Sequence, residues 1–234
     1  MSDLIFYAAS LIAVFLVFVP HELAHGYVAY LNGDYTAKIN GRLTLNPIKH
    51  IDLMGLVMCV LVGYGWAKPV PINSDNFNNY KVGLFTTAIA GVVVNYIFAF
   101  ISYPIYLAIT KYAHPSSEAM YYLLYFVRMI FYLTYLYGLT IFVFNLLPFN
   151  PLDGFRVVQS LTSPYNRVRK FLEENGKYIL LFLVAESFIC RMIARYTGFS
   201  DIQYFNILGF YVQWFAQHVI GWPITAIWNL VFGI

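Results

Sequence analysis

Pro20-His21-Glu22-Leu23-Ala24-His25 decides how the rest of the chain is read. The hexapeptide lies inside an apolar run, Leu4 to Tyr30, whose length suits a membrane-spanning helix. Residues four apart on a helix share a face, so His21 and His25 can turn both imidazoles toward one metal ion. Glu22 lies beside them, near enough to take a proton from a water held by that metal. Titratable groups at membrane depth are costly and mark function by default.

Composition sets the frame. The 234-residue chain is 60% hydrophobic and 11% charged, with a mean hydropathy of +0.65. Soluble domains carry about 25% charged residues. The expected class is an all-α polytopic membrane protein, one domain over residues 1–234, with the lipid bilayer as its surroundings. The 20% aromatic content suits interfacial belts. The net charge of +3 comes from residues that border apolar segments, not from a basic patch, so no nucleic-acid partner is expected. Cys59 and Cys190 fall in apolar stretches and read as buried free thiols. Met1-Ser2-Asp3 carries no basic n-region, so no cleavable signal is expected.

Five spans follow from hydropathy: core helices over about 4–30, 82–110 and 121–147, and accessory helices over about 177–196 and 204–231. Pro20 frees the carbonyl of Leu16 and predicts a kink. Asn40-Gly41, flanked by Tyr35 to Ile39 and Arg42 to Leu45, predicts a small β-hairpin near the cytoplasmic face, with an edge that could take a substrate strand. Leu53 to Gly65 is apolar but too short to span and predicts a re-entrant segment. Gly65 to Asn73 leaves it as an extended, proline-fixed loop. Ser163 to Lys177 is polar, an amphipathic or loop segment. With this topology, ten Lys and Arg residues fall on one side and four (Lys111, Arg128, Arg191, Arg195) on the other. The richer side is cytoplasmic, the N-terminus is outside, and the motif lies toward the cytoplasm.

Two histidines leave a zinc site short of a protein ligand. The elongated His-Glu-x-x-His-x-x-Gly-x-x-His form is excluded, because Val28 and Leu31 stand where glycine and histidine are needed. No Glu follows Glu22 until Glu118. Asp153 differs from the other acids: it sits where Pro148, Pro151 and Gly154 break the third span. Broken backbone at membrane depth is tolerated where it is buried in protein or lines a wet cavity. Two imidazoles and one carboxylate leave a fourth position open, the catalytic pattern. Zinc there would acidify a water, and Glu22 would shuttle its proton. Asn145, eight residues before Asp153, is a candidate donor to the oxyanion, with an interhelical structural hydrogen bond as the equal alternative. Asn95 reads as a structural hydrogen-bonding residue and Glu186 as a partner of Arg191 or Arg128. His50 is expected at the membrane interface, and His114 and His218 at the surface.

At these residues the chain resembles the site-2 protease family of intramembrane zinc metalloproteases, in its compact prokaryotic branch without PDZ or CBS domains. The matching parts are His21 to His25, Ala90-Gly91-Val92-Val93-Val94-Asn95, and Asn145-Leu146-Leu147-Pro148 leading into Asn150-Pro151-Leu152-Asp153-Gly154. Gly41 to Pro47 and Gly65 to Pro71 also resemble that branch. Val92 stands where the family often has proline. The resemblance implies one Zn2+ per chain held by His21, His25 and Asp153, with Glu22 as catalytic base and Asn145 as a transition-state aid. It implies a transmembrane protein substrate that unwinds to reach the zinc, and a place in the cell membrane as a multi-pass protein. The alternative from the residues alone is a non-proteolytic metal-binding transporter or sensor. Oligomeric state is not legible.

Overall fold

The structure, a computed structural model, describes residues 2–55 and 67–234. Three helices carry its centre: α1 (Ser2–Leu31), then a short α2 (Thr36–Ile39), then α3 (Tyr80–Tyr112) and α4 (Glu118–Asn145). By length and composition α1, α3 and α4 are the described helices able to cross a membrane. α5 (Asp153–Leu161), α6 (Arg167–Thr197), α7 (Ile207–Phe215) and α8 (Trp222–Phe232) follow. No strand occurs among the described residues.

The helix limits follow from local chemistry. Asn79, Ser117 and Asn166 each turn a side-chain oxygen onto the free amides at the start of α3, α4 and α6. Gly198, at φ 71°, ends α6 in the left-handed region. α1 runs unbroken through Pro20.

Packing relies on small residues, which let apolar helices approach without a hydrophobic driving force. Ala9 and Ala13 of α1 meet Leu133 of α4. A Cβ on Gly138 of α4 would come within 2.9 Å of the Asn95 carbonyl oxygen of α3. Tyr135, Leu139 and Val143 of α4 bury against Leu208, Val212 and Ile224 from the C-terminal helices. Polar ties cross the same boundary: Trp228 Nε1 donates to the Phe100 carbonyl at 3.1 Å and Tyr103 to Asn229 at 3.1 Å.

The expected β-hairpin is replaced by a helical turn. A two-residue type I′ turn needs positive φ at both centres, but Asn40 has φ −80° and only Gly41 is positive, at 60°. Gly41 N–H donates to the Lys38 carbonyl and Arg42 N–H to the Ala37 carbonyl, the Schellman closure of a helix. Asp34 starts that helix by accepting from the Thr36 amide at 3.1 Å. The re-entrant segment lies almost wholly outside the described residues.

The accessory region also differs. The polar stretch after Ser163 and the predicted fourth span form one helix, α6, and it is not among those apolar enough to cross. Glu186, Arg191 and Arg195 interrupt its apolar half. The predicted fifth span is divided into α7, a π-helical turn over Ala216–Ile220, and α8. Pro223, in the first turn of α8, is suited to a helix start, not an interior.

Candidate metal centre

α1 supplies His21 and His25, and α5 supplies Asp153 from its first residue. α4 ends at Asn145, and the chain turns through Leu146 to Leu152 before α5 begins. Gly154 makes that turn tight enough, since a Cβ there would lie 2.3 Å from the Leu146 carbonyl oxygen. All three side chains are buried. His21 Nε2 and His25 Nε2 are 3.0 Å apart, and Asp153 Oδ2 lies 3.3 Å and 3.1 Å from them. A tetrahedral zinc with ligands at about 2.0–2.1 Å spaces neighbouring ligand atoms at roughly 3.3 Å. The triangle has that size.

Protons support the same reading. His25 Nδ1 sits 2.7 Å from the Thr87 carbonyl oxygen. A carbonyl only accepts, so Nδ1 carries the proton and Nε2 turns a lone pair inward. Asp153 Oδ2 is buried with no hydrogen-bond partner. Converging lone pairs in a dry interior repel one another unless a cation joins them. Among the described residues this is the one cluster of three or more His, Cys and acid groups able to share an ion.

α3 forms the wall. A Cβ on Gly91 would lie 2.4 Å from His25 Nε2 and 2.7 Å from His21 Cε1, so only glycine admits the two rings. Asn95, one turn further on and fully buried, places Nδ2 3.0 Å from His21 Nδ1.

Glu22 is half-buried, and its Oε2 accepts from the Val70 amide at 2.9 Å. Val70 belongs to the proline-fixed segment expected from sequence, and residues 67–73 are free of regular structure. Three further bonds hold this strap. Lys68 N–H donates to the His50 carbonyl at 2.8 Å, Arg42 Nη2 to the Lys68 carbonyl at 2.7 Å, and Asn73 N–H to Asp34 Oδ2 at 2.8 Å. His50 itself is buried, with Nε2 2.8 Å from the Thr44 carbonyl. Burial alone would raise the Asp34 carboxyl, but hydrogen bonds from Thr36, Asn76 and Asn73 outweigh it and hold the group below its ordinary value.

Asn145 closes α4 half-buried, and its side chain has no hydrogen-bond partner among the described residues. Glu186 accepts from the Cys190 thiol at 3.2 Å. Sequence reasoning missed Val70 and Thr87 because both act through backbone atoms. Gly91 carried a signal: it stands one helical turn before Asn95, on the same face.

The family model of peptidase family M50 matches residues 119–187. A protein of Bacillus subtilis (strain 168) named "Putative zinc metalloprotease YwhC" is 39% identical over 189 residues, which cover 79% of this chain and 84% of that relative. The chain belongs to peptidase family M50. The resemblance to site-2 proteases thus holds. The stretch matched by the M50 model contains Asn145 and Asp153, and the histidine pair lies upstream of it. No solved structure matches the chain.

Proposed function

We propose that this M50 peptidase is an intramembrane zinc endopeptidase that hydrolyses peptide bonds in or next to transmembrane segments of other proteins. The observation that carries this reading is the buried triangle of His21 Nε2, His25 Nε2 and Asp153 Oδ2, with sides of 3.0 to 3.3 Å, on helices packed among three potential spans. These three residues are the zinc ligands, one ion per chain.

When bound, zinc acidifies a water and polarises the scissile carbonyl. Glu22 takes the proton of the attacking water and returns it to the leaving amine. The Val70 amide holds one carboxylate oxygen, which leaves the other for that transfer. The Asn145 amide, without a side-chain partner among the described residues, donates to the oxyanion as it forms. The buried walls of α1 and α3 exclude bulk water, which strengthens each of these interactions.

The Lys and Arg bias supports an orientation with the motif end of α1 toward the cytoplasm of the cell membrane and the N-terminus outside. The transporter or sensor alternative needs further ligand groups along a path, and none clusters among the described residues. The deciding experiment compares the wild type with Glu22→Gln in native membranes. The variant retains stoichiometric zinc, loses cleavage and holds uncut membrane protein; full cleavage by Glu22→Gln would refute the mechanism.

A further inference from the structure

The metal centre has a fourth protein group in its design, the Asn95 amide. Asn95 is fully buried on α3, and its Nδ2 lies 3.0 Å from His21 Nδ1. Its Oδ1 is buried with no partner. In this orientation an amide donor faces a ring nitrogen while an acceptor is stranded in a dry interior, a costly arrangement. Amide oxygen and nitrogen are told apart only by the hydrogen bonds they make.

His21 Nε2 settles which way the amide points. It lies 3.0 Å from His25 Nε2 and 3.3 Å from Asp153 Oδ2, so its lone pair faces the metal position. A neutral imidazole with a free Nε2 carries its proton on Nδ1 and needs an acceptor there. Rotating the amide by half a turn brings Oδ1 to that proton, so the acceptor is no longer stranded, and turns Nδ2 to the position that Oδ1 held. The partner ring is already wired this way, since His25 Nδ1 donates to the Thr87 carbonyl.

We propose that Asn95 Oδ1 accepts the His21 Nδ1 proton, making Asn95 the positioning residue that fixes the His21 tautomer and aims Nε2 at the metal. The proposal rests on the zinc reading above. It gives the two histidines matched second partners, a backbone carbonyl for one and a side-chain carbonyl for the other. Both partners lie on α3, and Gly91 between them lets that helix come close enough to reach both rings.

The test is zinc affinity, measured on the full-length protein in detergent by competition with a chromophoric chelator. Asn95→Asp keeps an acceptor and has no donor. Asn95→Leu has neither. The expected result is near-wild-type affinity for Asn95→Asp and a loss of about 10–100-fold for Asn95→Leu, the usual cost of removing such a partner. Equal loss in both variants, or none in either, would overturn the proposal. A second measurement does not depend on Leu being accommodated: 15N spectra of the zinc-loaded wild type should show His21 protonated at Nδ1, and a proton-free Nδ1 would overturn it. If the wild type takes up no zinc, the metal reading itself fails, which is a distinct outcome.

Discussion

The Val70 amide donates to Glu22 Oε2 at 2.9 Å, although 48 positions separate the two residues. A backbone proton thus holds the carboxylate proposed as the catalytic base. Val70 stands between Pro69 and Pro71, which hold the strap extended. Val70→Pro deletes the donor and keeps the extended form. Hydrogen bonds to charged groups contribute about 1.5–3 kcal/mol. The expected outcome is a fall in kcat between about tenfold and about a hundredfold, with zinc content unchanged, read by peptidase assay and metal analysis.

Gly91→Ala should empty the site. Its new Cβ would meet His25 Nε2 at 2.4 Å and His21 Cε1 at 2.7 Å. One ring must leave its place, and overpacking costs about 1–3 kcal/mol besides. Gly41→Ala is the control. Nothing lies within 4 Å of a Cβ there, but φ is 60°. That variant should lose about 1 kcal/mol of stability and keep its zinc, as thermal melts beside metal analysis would establish.

Asp34 makes the strap sensitive to acid. Its carboxyl is held below its ordinary value of 3.8. A depressed carboxyl contributes stability that is present above the unfolded value and is lost as pH falls through the folded one. Amide exchange at Asn73, whose N–H Asp34 accepts, should stay protected down to about pH 4 and open below it. In Asp34→Ala the same amide should exchange quickly at every pH, because the acceptor is absent.

Removal of the metal with a strong zinc chelator should abolish cleavage, and added zinc should restore it. Asp153→Ala should not recover at the same zinc concentration, because two imidazoles alone do not complete a three-ligand catalytic site. Recovery in that variant would show that another group serves as the third ligand.

Much of the centre was legible in the sequence because its physics is local. The spacing of His21 and His25 follows from helix pitch alone. Asp153 was marked by two prolines and a glycine around an acid at membrane depth. The dipeptide Asn40-Gly41 misled because the same residues serve two ends: a hairpin turn, or the left-handed close of a helix. Asp34 accepts from the Thr36 amide beside that helix and also from Asn73 and Asn76, and the latter two contacts are tertiary and lie in no local window. The two C-terminal spans expected from hydropathy correspond, among the described residues, to a long helix less apolar than α1, α3 and α4 and to a helical run divided at Ala216–Ile220. Glu186, Arg191 and Pro223 weigh more on helix fate than the average around them. Asn95, read as a hydrogen-bonding residue, turns its side chain to His21.

The order in which the cluster is assembled has a consequence for the cell. His21 and His25 are synthesised before α3 and α4, and Asp153 only after them. Until α5 docks, the histidines lack the Asp153 carboxylate. If these three residues hold the metal as proposed, the site is complete only once α5 has docked, and peptidase activity would arrive with completed folding.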